Sequence, residues 1–138
     1  MSARIEYVEK LRKSGLRPTK QRIKICEILF NSTRTFHFTV NDLTKMAENN
    51  GNIKISLATI YNTIHAFEKK GYLKKIPINS SQNYYDTNIS NHHHFYDEEK
   101  GELIDLENEE IEPIKIKKVM PGKKIRSIEI LVKVETDN

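Results

Sequence analysis

Three consecutive histidines stand between two aspartates in a chain that contains a single cysteine. In an extended segment alternate side chains point to the same side, so His92 and His94 are expected on one face and His93 on the other. Asp86 lies six residues before His92, and Asp105 follows in a strand-like stretch, so both carboxylates could fold back onto the histidines. Imidazole and carboxylate without thiolate suit Fe²⁺, Mn²⁺ or Zn²⁺. The spacing therefore predicts a divalent-metal site.

A further candidate ligand, His37, lies in the motif TFHFT between two predicted helices. Because Cys26 is the only cysteine, an intramolecular disulfide and a zinc site of paired cysteines are both excluded. Two alternatives remain open at this point. The histidines could form a surface cluster without a ligand role, or a bound ion could activate water in a small metallohydrolase.

Charge is divided unevenly along the 138 residues. Residues 1–83 carry 15 Lys and Arg against 6 Asp and Glu, which gives +9, whereas residues 84–138 carry 8 against 13, which gives −5. A basic first half suits a polyanion such as double-stranded DNA, and the alternative is two solvated faces of one domain. The sequence contains no apolar run typical of a membrane span or a signal peptide, so we expect a cytoplasmic protein with no membrane partner.

Helical periodicity predicts three helices in the first 50 residues. Thr19 is the expected cap of the second helix, and Thr39 with Asp42 forms an expected capping pair for the third. The apolar positions on which these helices depend are Ile5, Val8 and Leu11, then Ile25, Ile28 and Leu29, and finally Val40, Leu43 and Ala47.

A fourth helix is predicted at residues 56–70, with Leu57, Ile60, Ile64 and Phe67 on its apolar stripe. The opposite face carries Thr59 and Asn62, small hydrogen-bonding residues of the kind that approach base edges closely. Two strand-like runs, YLKKIPI and QNYYDT, follow and predict a basic hairpin with Lys74 and Lys75 near phosphates. Three helices before such a hairpin indicate a winged helix-turn-helix with residues 56–70 as its recognition helix.

The remainder of the chain is short and acidic. GELIDL and RSIEILVKVE predict strands, and residues 107–120 have partial helical character that Pro113 interrupts. Because roughly 50 residues bury little core, we expect a homodimer that pairs through residues 127–135. The predicted fold class is α/β: a winged helix-turn-helix DNA-binding domain at residues 1–86 and a small α/β dimerisation and sensing domain at residues 87–138.

The motifs GLRPTKQR, SLATIYNTIHAFEKKG and D-x5-H-x-H followed by GELIDL resemble the ferric-uptake regulator family, most closely its iron response regulator branch. The resemblance implies a bacterial DNA-binding repressor, a dimer, and a regulatory metal between the two domains. The implied metal ligands are His37, Asp86, His92, His94 and Asp105. The implied DNA contacts add Tyr61, Lys13 and Arg17 to Ser56, Thr59 and Asn62 of the recognition helix.

The sequence departs from the family pattern at positions that concern the structural zinc and the effector. Asp97 and Lys100 stand where many relatives carry a cysteine pair, so no structural four-cysteine zinc is expected. The iron response branch implies haem as an effector at His92, His93 and His94, with haem or a haem-delivering protein as a partner, although the branch's Cys-Pro motif is missing. A peroxide sensor that oxidises its own histidines through bound iron uses the same ligand set, so that alternative stays open.

Overall fold

The structure of this chain is a computed structural model that describes residues 3–51 and 53–138. It divides into two compact units, the first ending at Ile89 and the second spanning Ser90–Asn138. Each unit has its own three-stranded sheet. Among the residues described, no helix is long and apolar enough to cross a lipid bilayer.

The first unit consists of helices followed by a β-hairpin. Its helices are α1 (Ala3–Lys13), α2 (Lys20–Phe30), α3 (Val40–Asn49) and α4 (Leu57–Lys70). Its antiparallel sheet has the order β1-β3-β2 and comprises β1 (His37–Phe38), β2 (Lys74–Pro77) and β3 (Asn83–Asp86). The hairpin of β2 and β3 directly follows α4, so the predicted winged helix-turn-helix is confirmed.

Side-chain caps define where these helices begin. The Thr19 hydroxyl accepts a hydrogen bond from the Arg22 amide, and Thr39 forms the complete capping box with Asp42, as predicted. Ser56 caps α4 by accepting from the Thr59 amide. These bonds satisfy amides that have no partner within the helix, typically stabilising it by about 1 kcal/mol each. The caps therefore fix the start of the recognition helix at Ser56.

The core of the first unit lies between the four helices and β1. Its largest fully buried apolar side chains are Leu11, Ile25, Leu29, Phe38, Leu43, Ile60, Ile64 and Phe67. Two predicted core positions are wrong, since Ile5 and Leu57 are exposed. In α1 the buried face runs through Tyr7 and Leu11, one turn apart, which leaves Ile5 on the other side. In α4 the stripe takes in Thr63 and starts one turn after Leu57.

The second unit is a small sheet with strand order β5-β4-β6. It consists of β4 (His93–Asp97), β5 (Glu102–Leu106), a 3₁₀ turn (Asn108–Glu110) and β6 (Leu131–Val134). β4 and β5 form an antiparallel hairpin, whereas β6 runs parallel to β4. The end of β5 lies beside the start of β4, and β6 also begins there, on the other side of β4. The connection between β5 and β6, here called the crossover, therefore passes from one edge of the sheet to the other.

The crossover differs from the prediction. Partial helix is predicted over residues 107–120, but the structure contains only the 3₁₀ turn there, and Pro113 cannot donate the backbone hydrogen bond that a continuing helix needs. The strand predicted over residues 126–135 is also shorter, because only Leu131–Val134 pairs with β4. The predicted α/β class, with a small second unit after a winged helix, is confirmed.

Candidate metal centre and DNA-binding surface

In the first unit, strand pairing places a histidine against an aspartate. β1 and β3 align with His37 directly opposite Asp86. His37 Nε2 lies 3.3 Å from Asp86 Oδ2, and the carboxylate is buried. The other oxygen, Oδ1, accepts a hydrogen bond of 2.8 Å from the Asn88 amide. The carboxylate is thereby held at the end of the strand with Oδ2 directed at the imidazole.

In the second unit, two histidines converge on one carboxylate oxygen. Asp105 lies opposite His94 in the β4–β5 ladder. Its Oδ1 is 3.3 Å from His92 Nε2 and 3.4 Å from His94 Nε2, and the two rings lie 4.5 Å apart. The predicted shared face of His92 and His94 is therefore confirmed. These three side chains belong to a group that could hold a metal ion.

The tautomer of His92 determines what must lie between its ring and the Asp105 carboxylate. His92 Nδ1 lies 2.8 Å from the Ser90 carbonyl oxygen, which can only accept, so Nδ1 must carry a proton. In the neutral ring Nε2 then presents a lone pair to Asp105 Oδ1, which also only accepts. Two acceptors at 3.3 Å require a proton or a cation between them.

The separations match those of ligands that share an ion. Nitrogen and oxygen ligands at about 2.0–2.2 Å from one ion, at octahedral to tetrahedral angles, lie roughly 3.0–3.5 Å from each other. The histidine–aspartate separations given above, 3.3, 3.3 and 3.4 Å, fall in that interval. The residues of each unit thus fit a divalent ion with nitrogen and oxygen ligands.

His93 has a different role from its neighbours. Its Nδ1 accepts a hydrogen bond of 3.0 Å from the Ile130 amide, so the ring holds the chain that enters β6. All three histidines are buried. The expectation that His92, His93 and His94 together ligate haem is not supported, because His93 lies on the opposite face of the strand and is occupied by a backbone amide.

The outward face of α4, which the sequence predicts to contact DNA, is exposed to solvent. Tyr61 and Asn62 are exposed, and the Ser56 hydroxyl donates to Thr59 Oγ1 at 2.9 Å, which orients the threonine. The prediction did not include His65, which is exposed one turn after Tyr61. Its spacing of four residues from Tyr61 places it on the same side of α4.

Basic residues of α1 border this face. Lys13 lines one shallow pocket with His65 and Lys69 of α4, so the end of α1 adjoins the recognition helix. Arg17 is exposed in the loop that follows. On the other side, Tyr61 lines a cleft with Asn83 of the hairpin. The predicted recognition helix, its basic flank and the wing thus form one surface within the first unit.

The only cysteine of the chain is buried, and its thiol is expected to be unreactive. Cys26 is fully buried, and burial raises the pKa of its thiol to about 12. Relative to an ordinary value near 9, the thiolate population falls about a thousandfold. We expect a thiol reagent at pH 8 to label Cys26 only as the protein unfolds, with full labelling in denaturant as the control. Rapid labelling of the folded protein would contradict the assignment of Cys26 as an inert core residue.

Comparison with known proteins gives the family. Residues 13–133 match the ferric uptake regulator family. The chain is 33% identical over 101 residues to the peroxide operon regulator of Bacillus subtilis (strain 168), a match that covers 73% of this chain and 68% of that protein. It is 31% identical over 109 residues to the peroxide-responsive repressor PerR of Staphylococcus aureus (strain Mu50 / ATCC 700699), covering 79% and 72%.

Solved structures share the fold. The ferric uptake regulator of Pseudomonas aeruginosa, determined with manganese, superposes with a TM-score of 0.68 at 20% identity and covers 96% of this chain and 98% of its own. The Vibrio cholerae ferric uptake regulator gives a TM-score of 0.68 at 18% identity, with 94% and 98% covered. The sequence relatives named above are peroxide regulators, so they do not support the haem-responsive branch that the motifs suggested. The chain belongs to the ferric uptake regulator family, whose members are metal-responsive transcription regulators and not enzymes.

Proposed function

We propose that this protein is a DNA-binding repressor whose affinity for its operator depends on one divalent ion and is lost when peroxide oxidises the ion's histidine ligands. The observation that carries the proposal is the convergence of His92 Nε2 and His94 Nε2 on one oxygen of Asp105. Both imidazoles are buried, and a cation between the His92 lone pair and the Asp105 oxygen would be bound by both.

We further propose that the histidine–aspartate pair of the first unit completes the same site. The second unit offers three ligands and the first unit offers two, and either number alone is small for a regulatory ion. Together the five residues supply three imidazoles and two carboxylates. Asp86 and His92 are only six positions apart, so one short stretch of chain can supply both ligands. The complete proposed ligand set is His37, Asp86, His92, His94 and Asp105.

The ligand chemistry favours a peroxide response over a thiol-based one. Nitrogen and oxygen ligands accept Fe²⁺, Mn²⁺ or Zn²⁺, and Cys26 is buried and protonated. Fe²⁺ held by these residues would reduce peroxide to hydroxyl radical and hydroxide and would itself become Fe³⁺. The histidine rings are then the nearest oxidisable groups. Addition of the radical to a ligand imidazole, with transfer of one electron to Fe³⁺ and loss of one proton, would leave one oxygen atom on the ring and weaken it as a metal ligand.

Haem is not proposed as the effector. Its three candidate ligands do not share a face, and the peroxide regulators among the relatives favour peroxide as the signal. A homodimer is proposed, because two recognition helices matched to two half-sites would turn a small change between units into a large change in affinity.

The regulator proposal is tested by selecting duplexes from a random library with metal-loaded protein. The preferred duplex should bind about 5–150-fold more tightly with Fe²⁺ or Mn²⁺ than with a chelator, which corresponds to a coupling of about 1–3 kcal/mol. Each measurement needs the same ionic strength, because phosphate contacts are salt-dependent. A failure to enrich any sequence, or equal affinity with and without metal, would rule the proposal out.

The exposed face of α4 predicts the effect of Tyr61→Ala. Because the ring is exposed and packs little in the core, the fold should persist while specific binding weakens by about 1–3 kcal/mol. Binding curves on the selected duplex and on a random duplex give the comparison.

Lys13→Ala is the matched control for this variant. It should weaken binding to both duplexes and flatten the salt dependence by about one phosphate contact. Equal losses on both duplexes for Tyr61→Ala would mean that the tyrosine does not read bases.

A further inference from the structure

A shallow pocket opens between the ends of α1 and α4 in the first unit. Its lining residues are Lys13 and Ser14 at the end of α1 and His65, Ala66, Lys69 and Lys70 of α4. The three lysines and the histidine are exposed, so a group of another molecule can reach them. As far as the structure describes the chain, no carboxylate lines the pocket, and Glu68, the acidic residue of α4, is half-buried outside it.

A pair of aromatic rings fixes the two walls of this pocket. The Lys10 ammonium lies 4.5 Å from the centre of the Phe30 ring, at the end of α2, and 4.2 Å from that of Tyr72, just after α4. A cation within about 6 Å of an aromatic ring is attracted to its face. One turn later, the Ser14 hydroxyl donates to the Lys10 carbonyl at 2.8 Å. The end of α1 is thereby tied to the end of α4, which holds Lys13 beside the lysines of α4.

A structural role explains only part of this arrangement. Lysines in the last turn of a helix are favourable beside the partial negative charge of its C-terminus, and both helices have them there. That effect acts within each helix and does not explain why two basic helix ends lie together, because like charges repel. An anion bound between Lys13 and Lys69 would turn the repulsion into attraction to a common partner.

The pocket continues the face of α4 that the proposed function assigns to DNA. His65 lies one turn after Tyr61, and Lys69 lies one turn after His65. Eight residues of helix span about 12 Å, which is about the width of the major groove. A helix whose Tyr61 faces base edges therefore reaches the phosphates at the rim of the groove by Lys69.

We infer that this pocket holds one phosphate of the DNA backbone, and that Lys13, His65 and Lys69 share it. Each lysine supplies a charge and hydrogen-bond donors, and the imidazole has at least one N–H to donate in either protonation state. A phosphate contact carries no sequence information, so the pocket fixes the register of the recognition helix, whereas base readout is left to Tyr61. The inference rests on the proposed function, because the phosphate belongs to the bound duplex.

The salt dependence of binding tests whether one phosphate is shared. Lys13→Ala and Lys69→Ala should each lower affinity for the selected duplex about 10-fold, because a hydrogen bond between charged groups is lost. Each should also reduce the slope of log affinity against log salt by about 0.9, the value for one phosphate. The double variant should again reduce the slope by about 0.9, whereas two independent phosphates would give about 1.8.

Two further variants complete the series. His65→Ala should weaken binding to the selected and the random duplex by the same factor, about 10-fold, since it removes a donor to the same phosphate. Arg4→Ala is the matched control, because it removes an exposed charge from α1 nine residues before Lys13 and outside the pocket. It should leave affinity and slope unchanged. All substituted side chains are exposed, so each variant should fold like the wild type.

Several results would overturn the inference. They are an unchanged slope in Lys69→Ala, a loss of about 1.8 in the double variant, or a His65→Ala effect confined to the selected duplex. Stabilisation of the DNA-free protein by inorganic phosphate at constant ionic strength, if abolished by Lys69→Ala, would assign the pocket to a free anion instead. Failure to bind any duplex would overturn the proposed function as well, whereas metal-dependent binding with an unchanged slope would overturn this inference alone.

Discussion

Replacing His92 with alanine is expected to abolish the metal dependence of operator binding. The substitution removes the nitrogen that faces the Asp105 oxygen at 3.3 Å, whereas His94 still faces that oxygen at 3.4 Å. Loss of a supporting group around a metal ligand typically costs 10–100-fold in affinity, so loss of the ligand itself should cost at least about 100-fold. Metal titration and duplex binding with and without the ion measure both consequences.

A second ligand variant separates loss of metal binding from loss of folding stability. His92 is buried, so truncation leaves a cavity and can lower the free energy of unfolding by itself. Asp105→Asn keeps the shape of a side chain that is 41% exposed and removes only its charge, so it should fold normally and still lose the metal response.

His65→Ala is the histidine control. His65 is exposed on α4 and is not among the proposed ligands, so its removal should leave metal affinity unchanged. If His92→Ala and Asp105→Asn both keep the wild-type metal affinity and the wild-type ratio of DNA affinities, the cluster is structural and the proposed mechanism is wrong.

The parts of the fold that the sequence predicted correctly are those encoded by neighbouring residues. The alternation of His92 and His94 about His93 follows from strand geometry, and the capping box of Thr39 and Asp42 follows from a spacing of three. In each case the interacting groups lie within a few positions of each other. Local patterns of this kind do not depend on how distant segments pair.

Distant pairings were not predicted. β1 has only two residues, too few for any periodicity, and it is fixed by the pairing of His37 with Asp86, 49 positions away. The bond from the Ile130 amide to His93 spans 37 positions and explains why a third histidine stands in the motif without joining the cluster. The sequence therefore suggested which residues could be ligands, whereas the register of the sheets determines which of them face each other.

The crossover was predicted incorrectly for a related reason. Ile114 and Ile116 alternate with lysines at strand spacing, yet no strand of the chain pairs with them in the part that the structure describes. An extended segment without a partner has no hydrogen-bond ladder, so periodicity alone could not decide its conformation.

Peroxide is expected to inactivate the iron-loaded protein and to spare the manganese-loaded one. Mn²⁺ can occupy the same nitrogen and oxygen ligands but is a poor electron donor to peroxide, so the two forms should bind DNA alike until peroxide is added. Affinity of the iron form for the selected duplex should then fall to that of the chelator-treated protein. Binding measured against time after one addition of peroxide gives the loss for each form.

The position of the added oxygen tests the mechanism within a single peptide. If the oxidant forms beside the ligands, as proposed, His92 or His94 should gain one oxygen atom, and His93 between them should not. His93 is the internal control because it shares their burial and their peptide but is turned to the other face, where it accepts from the Ile130 amide. Tandem mass spectrometry of that peptide, from both metal forms, locates the oxygen. Equal oxidation of all three histidines, or the same modification in the manganese form, would mean that the loss of DNA binding does not arise at this metal centre.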